Sequence, residues 1–325
     1  MKQALPLLEV LNLAKYYEEE GGGFKQRRKK LRALDGVSFD LKQGETLGLV
    51  GESGCGKSTL GRLLVRLEKS DQGQILYEGT DVTAWQGEKL RQWRRNVQMI
   101  FQDAFASLNP RLSVEEIIRD PLRNYEGLGA REMVGRVEEL LEMVGLEPSA
   151  RFRYPLEFSG GQRQRIAIAR ALALGPRLLV CDECVASLDV SIQAQILQLI
   201  QSLKEKLGLS LLFISHDLAV INYISDRVAV MYLGKIVEIL ESGTLVEEAR
   251  HPYTQALFAA VPLPDPAQKS VVPLLLQGEP PNLINPPSGC SFHPRCPQAM
   301  DKCRQEEPAV REISPKHWVA CHGVS

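Results

Sequence analysis

The stretch TLGLVGESGCGKST, residues 46–59, decides the fold. Thr46–Val50 is a short apolar run, the pattern of a strand buried on both faces of a parallel sheet. It runs into Gly51–Ser58, which fit G-x-x-x-x-G-K-[ST], the spacing of a loop that cradles phosphates between a strand and a helix. The glycines Gly51, Gly54 and Gly56 let the backbone curl so that successive N–H groups face an anion. The helix that follows adds its positive end. Gly51, Glu52, Ser53, Gly54, Cys55, Gly56, Lys57, Ser58 and Thr59 are therefore the candidate phosphate-binding residues. Lys57 is expected to neutralise β- and γ-phosphate charge, and the Ser58 hydroxyl to ligate Mg²⁺. A glycine-rich turn that binds nothing is the alternative, and the strand before it and the amphipathic segment after it argue against that.

Outward from this loop the pattern repeats. RLLVCDE (177–183) and LSLLFIS (209–215) are further buried-strand runs. Between them Ile192, Ile196, Leu199, Ile200 and Leu203 recur at helical spacing over 190–207 and would cover a sheet face. Buried strands alternating with helices mean an α/β fold with a parallel sheet. Residues 31–45 alternate instead, as a half-exposed antiparallel strand does. Residues 103–160 carry helical patterns broken at Pro110, Pro121, Pro148 and Pro155, the mark of an inserted helical subdomain. The core is expected to span 1–102 and 161–250. After residue 251 the composition shifts: thirteen of the 19 prolines lie between Pro252 and Pro315. Regular structure is not expected in that extension, 251–325. The Gly21–Gly23 run and the basic Gln26–Lys30 segment read as an exposed loop.

The composition narrows the function. The chain has 325 residues, 44% hydrophobic and 24% charged, enough to bury a full core. Lys+Arg 39 against Asp+Glu 40 gives a net charge of −1, which argues against a broad nucleic-acid surface. The N-terminus lacks the pattern of a signal peptide, and no run approaches the roughly 18 apolar residues of a spanning helix. A soluble, cytoplasmic protein that meets a membrane only through a partner is expected. Seven cysteines without an export signal do not suggest a disulfide framework.

The downstream motifs discriminate among phosphate-binding folds. FSGGQRQRIAIARALAL (158–174) precedes LLVCD, and Asp182 and Glu183 end a buried strand. Asp182 is placed to hold Mg²⁺, and Glu183 to polarise an attacking water. His216, in FISHDL at the end of the next apolar strand, is placed to reach a γ-phosphate. Together these motifs resemble the ATPase subunits of ABC transporters, from about residue 7 to the C-terminus. The resemblance implies a RecA-like P-loop ATPase core with an antiparallel β subdomain, an inserted α-helical subdomain, and a cysteine-containing irregular C-terminal extension. It implies ATP and Mg²⁺, with Ser58, Gln102 and Asp182 around the metal. Gln102 would be the Q-loop glutamine, Glu183 the catalytic glutamate and His216 the switch histidine. The signature would be Phe158, Ser159, Gly160, Gly161 and Gln162, the D-loop Ser187, Leu188 and Asp189. The adenine-stacking aromatic would be Tyr17, with Tyr16 as the alternative. Three positions depart from the family pattern: Phe158 for the usual Leu, Cys184 for Pro, and the reversed pair Ala186–Ser187. Cys181 and Cys184 read as strand-end packing.

ASLNPRLSV (106–114), HPYTQALFAAVP (251–262) and GCSFHPRCPQAMDKC (289–303) resemble oligopeptide and dipeptide importers. GKSTLGR and RLEKSDQGQILYEG (66–79) favour the second of their two ATPases. The resemblance implies a homologous but non-identical ATPase partner, two transmembrane permeases, an external substrate-binding protein, no nucleic acid, and a peripheral place on the cytoplasmic face of the membrane. Dipeptide, oligopeptide, glutathione and nickel chelate all remain as cargo. A non-transport ABC ATPase is the other reading. Cys290, Cys296, Cys303 and Cys321 are spaced C-x5-C-x6-C-x17-C. Four thiolates suit soft metal chemistry, and the lack of tight C-x(2–4)-C pairs favours an iron–sulfur cube over zinc. The resemblance implies a [4Fe–4S] cluster there. Zinc, with His293, His317 or His322 as substitute ligands, and free thiols stay open.

Overall fold

A computed structural model describes residues 5–19, 29–125, 127–259 and 278–324. The Gly21–Gly23 loop lies outside these residues, but Lys29 and Lys30 already belong to a strand. Leu8–Glu19 (β1) and Lys29–Leu41 (β2) pair antiparallel, and Gln72–Tyr77 (β4) and Thr80–Asp81 (β5) extend them to a four-stranded sheet, after Thr46–Val50 (β3) has left for a second one.

Among the described residues that second sheet has eight strands. Val97–Ile100 (β6), Leu178–Asp182 (β7), Ser210–Ile214 (β8), Arg227–Tyr232 (β9), Lys235–Glu241 (β10), Arg311–Ser314 (β11) and His317–Val319 (β12) join β3 in the order β11-β12-β10-β9-β3-β8-β7-β6. From β6 to β9 the pairing is parallel, and β10, β12 and β11 add an antiparallel edge. Every residue of β3, β7, β8 and β9 is buried, as expected for strands covered on both faces.

Lys57–Leu64 (α1) packs between the two sheets, while Gly87–Asn96 (α2) lies beside β6. Ala104–Ser107 (α3), Val114–Tyr125 (α4), Ala130–Met143 (α5) and the start of Gly160–Leu172 (α6) form the helical insertion. Pro121 does not break it: Pro121 lies inside α4, whose Ile117, Ile118 and Leu122 are buried. Val190–Leu207 (α7) coincides with the helix read from the apolar spacing. Leu218–Ile224 (α8), Leu245–Glu248 (α9), Pro252–Ala259 (α10) and Asp301–Gln305 (α11) complete the set used below. No helix among the described residues is long and apolar enough to cross a membrane.

The extension is more regular than its prolines imply. It supplies α10, α11, β11 and β12, and β12 pairs with β10 through Glu238↔Val319 and Ile239↔Trp318. Tyr253, Phe258 and Phe292 join the core that also covers β8 and α6. A buried carboxylate ties it down. Glu238, 1% exposed, accepts the N–H groups of Arg250 (2.7 Å) and His251 (3.1 Å) and faces His317 Nε2 at 2.7 Å. A carboxylate can only accept, so Nε2 carries the hydrogen.

His251 gives this junction a pH dependence. Its ring is buried, and Nδ1 accepts the Tyr253 N–H at 3.1 Å, which requires that nitrogen unprotonated. Burial lowers its pKa from 6.5 to about 3. Below pH 6.5 the unfolded chain takes up a proton that the folded chain refuses. This contribution is therefore complete above about pH 6.5 and is lost as pH falls through about 3. Its slope is at most one proton, about 1.4 kcal/mol per pH unit. Denaturant unfolding across this window should record that slope. His251→Asn, whose side-chain oxygen can still accept the amide, should flatten it by one proton; an unaltered pH profile would refute the assignment.

Candidate functional site

Parallel pairing aligns the strand ends that build the site. Leu49 and Asp182 both stand opposite or beside Ile214, so the residues that follow β3, β7 and β8 emerge on one edge. The loop after β3 is pressed against its neighbours. At Gly51 (φ 154) a Cβ would lie 2.2 Å from the Met231 carbonyl oxygen, and at Gly56 (φ 111) 2.4 Å from that of Ala33. Only glycine fits either position.

Lys57, 5% exposed, points its ammonium back into the curl and donates to the carbonyls of Gly51 (2.7 Å) and Glu52 (3.1 Å). The Ser58 hydroxyl donates to Asp182 Oδ1 at 2.9 Å. Burial raises the Asp182 pKa and the nearby Glu183 charge adds to the effect, while the Ser58 hydrogen bond opposes it. A carboxylate penalised in this way gains from a cation beside it. A hydroxyl and a carboxylate oxygen are the hard donors that Mg²⁺ takes from a protein when phosphates supply the rest. The residues therefore fit the metal.

Glu183 follows β7 with φ 46, a left-handed conformation that is strained for a residue with a Cβ. Its N–H donates to the Ile214 carbonyl at 3.0 Å, which fixes the turn. Its Oε2 accepts from Gln102 Nε2 at 2.9 Å, and its Oε1 lies 3.4 Å from His216 Nδ1. Gln102, Glu183 and His216 thus converge from the ends of β6, β7 and β8. His216 stands two residues past the strand rather than on it, and its side chain is 55% exposed.

Of the two tyrosines, Tyr17 faces the loop. Its hydroxyl donates to Glu68 and lies beside the Thr59 hydroxyl, while burial and Glu68 raise its pKa. Tyr16 turns to Asp35 at 2.8 Å. The predicted signature is a helix start: Ser159 caps α6, accepting from the Gln162 N–H, and its own N–H donates to Gln162 Oε1 at 3.0 Å. Gly160 and Gly161 admit close neighbours, since a Cβ at Gly161 would meet Ile192 at 2.5 Å. Phe158 is buried, so replacement of the usual Leu costs no exposed surface. Cys181 and Cys184 are buried too, and the hydrogen bond between their thiols, with burial, holds the Cys181 thiol protonated. Asp189 is exposed at the start of α7.

The four C-terminal cysteines gather from three segments. The Cys290 N–H donates to the Cys303 carbonyl at 2.8 Å. The Cys290 thiol is pushed up to about 11, chiefly by burial, with Cys303, Cys321 and Cys296 adding to it. The thiols are therefore electrostatic neighbours, which is the donor chemistry a cluster requires. Among the described residues, however, no group of three or more His, Cys, Asp or Glu side chains is arranged to hold a metal ion. The histidines weighed as substitute ligands are engaged elsewhere: His293 with the Cys290 carbonyl, His317 with Glu238, His322 with the Glu306 carbonyl.

Two residues at the loop escaped the sequence reading. Arg295 forms a two-pronged ion pair with Glu52 at 2.9 and 3.0 Å, and the Tyr253 hydroxyl accepts the Glu52 N–H at 3.0 Å. Both lie in the stretches 251–262 and 289–303 that resemble peptide importers, but neither stretch has a phosphate-binding spacing, so nothing local ties them to the loop.

Comparison with known proteins agrees with this geometry. The ABC transporter family profile matches residues 34–186, and that of the oligopeptide/dipeptide transporter C-terminal region matches 237–303. A "probable peptide ABC transporter ATP-binding protein" of Sinorhizobium fredii is 53% identical over 317 residues, covering 97% of this chain and 89% of its own. The oligopeptide transport ATP-binding protein AppF of Bacillus subtilis is 51% identical over 97% of both chains. Among solved structures, the dimeric ATP-binding cassette MJ0796 in a post-hydrolysis state with ADP and Pi superposes with a TM-score of 0.64 at 29% identity. The match covers 72% of this chain and 98% of that one. With loop, strand-end acids and glutamine arranged as described, the chain belongs to the ATP-binding subunits of ABC transporters, and it is an ATPase.

Proposed function

We propose that this ATPase energises import of peptides, as one of two non-identical ATPase subunits bound to two membrane permeases and served by an external binding protein. The observation that carries the reading is the convergence of Gln102, Glu183 and His216 beside the Lys57–Ser58–Asp182 cradle. The match to the oligopeptide/dipeptide C-terminal region and the names of the relatives support peptide as cargo. Residues 103–160 are proposed as the helical subdomain and 251–325 as the extension. On this reading the protein sits peripherally on the cytoplasmic face of the membrane.

Each residue then has a part in the proposed mechanism. The curled backbone and Lys57 hold the β- and γ-phosphates, Thr59 closes the cradle, and Tyr17 stacks on the adenine. Bound Mg²⁺, held by Ser58, Asp182 and Gln102, would neutralise the phosphate charge. Glu183 accepts the proton of the attacking water, positioned by Gln102, and His216 bonds the γ-phosphate. Ser159, Gly160, Gly161 and Gln162 of this chain would supply donors to the far side of the γ-phosphate held by the opposing subunit, whose own signature would serve this site, with Asp189 lining the seam. Charge spread over a transferring phosphoryl group needs such donors all round. ATP would thus clamp two subunits, and hydrolysis release them. Glu183→Gln should bind ATP normally and lose about 10²- to 10⁴-fold in turnover, measured on the assembled transporter. Wild-type rates would remove Glu183 from the role.

A cavity of about 650 Å³ between the core and the helical insertion, walled by Gln102, Ala106, Asp120 and Tyr125, is proposed to take a permease helix. Ala106 is exposed there, whereas Leu108 is buried and only packs. Ala106→Asp should cut transport several-fold while leaving basal ATPase intact. Equal loss of both activities in a folded variant would count against the groove.

A [4Fe–4S] cluster on Cys290, Cys296, Cys303 and Cys321 is proposed on the resemblance of the 289–303 stretch to the importers alone, since the thiols as placed are not arranged as a metal site. Anaerobic purification should yield iron and acid-labile sulfide at about four each per chain. Stoichiometric zinc without either would overturn it.

A further inference from the structure

Glu52, the first variable residue of the phosphate loop, is gripped by side chains 201 and 243 residues downstream. Arg295 presents two guanidinium nitrogens to its two carboxylate oxygens at 2.9 and 3.0 Å, and the Arg295 side chain is 6% exposed. A two-pronged, largely desolvated pair of this kind fixes orientation as well as distance. The backbone of the same residue is fixed separately, since its N–H donates to the Tyr253 hydroxyl at 3.0 Å. Tyr253 is fully buried and lies in a ring cluster with Tyr232 (4.7 Å) and Phe292 (5.5 Å). Arg295 also reaches the Tyr232 hydroxyl at 3.4 Å. Pro280–Leu283 face Glu52, Ser53, Gly54 and Cys55 across a cavity.

We infer that Arg295 and Tyr253 are positioning residues of the nucleotide site, through which the C-terminal extension sets the shape and charge of the phosphate loop. The inference rests on the reading that Gly51–Thr59 hold the phosphates. Two physical effects follow. The loop can bind an anion without rearrangement only if its curl is already fixed, and Glu52 is held at both its backbone and its side chain. The Glu52 carboxylate also lies beside a site for a highly charged anion, and the guanidinium cancels its repulsion. Neither residue touches ATP on this account; both act through Glu52.

The test is equilibrium binding of a fluorescent ATP analogue with Mg²⁺ to the full-length chain, together with hydrogen exchange at the amides of 51–57. Arg295→Ala should weaken binding about tenfold, within the roughly 5- to 150-fold typical of coupling between sites. It should raise the KM for ATP more than it lowers kcat, and speed exchange in the loop. Arg295→Lys, which keeps charge without the fork, should recover part of the affinity. Adding Glu52→Gln to Arg295→Ala should cost less than the two changes summed, because they remove one interaction. Tyr253→Phe, lacking only the hydroxyl, should weaken binding about threefold, a smaller share of the same coupling, and carries the test if Arg295→Ala does not fold. Folded Arg295→Ala and Tyr253→Phe with unchanged affinity and exchange would overturn the inference, as would a lowered melting temperature alone. Lys57→Ala separates the two readings. Normal binding in that variant would sink the loop assignment itself, whereas its loss of binding beside an unaffected Arg295→Ala sinks only the positioning role.

Discussion

Parallel pairing of β7, β8 and β3 is the constraint on which the site depends. Residues in register on parallel strands end at the same edge, so three short apolar runs far apart in sequence deliver Gly51, Glu183 and His216 to one place. A shift of one residue would exchange the two buried faces of each strand, so that side chains fitted to one covering layer would meet the other. The antiparallel sheet then braces the result from behind, as the close approach of Gly56 to Ala33 demonstrates. Chemistry at this edge is thus a product of register more than of any single hydrogen bond.

Within that edge, charge is arranged in opposition. Lys57 lies under the loop carbonyls, Asp182 is buried against Ser58, and Glu183 sits in a strained backbone well between Gln102 and His216. The strain has a structural source: the Glu183 N–H is claimed by Ile214 on the neighbouring strand. The turn therefore cannot relax without breaking a sheet-edge hydrogen bond, and the carboxylate is held where the glutamine and histidine meet it.

Much of this was legible in the sequence. The loop spacing, the three buried runs and the 190–207 helix were written in local patterns with periods that strands and helices impose. The extension was not. Its apolar residues Tyr253, Phe258, Phe292 and Val319 are scattered among prolines, so they show no period, and the core they enter is borrowed from elements laid down much earlier. Pro121 misled in the same way, because packing of Ile117, Ile118 and Leu122 outweighs the local cost of a proline in α4. Arg295 and Tyr253 were invisible because their significance lies wholly in a distant partner.

That distance orders events during synthesis. Arg295 is 243 residues downstream of Glu52, so at about 5–20 residues per second it leaves the ribosome on the order of ten to fifty seconds later. The strands of the core can pair in the interval, since β3, β7, β8 and β9 are all upstream of residue 233. The loop itself acquires its outer support only when the tail folds back across it. A stretch translated much later thereby completes the first motif, and a chain released before it keeps the parallel strands while lacking its finished mouth.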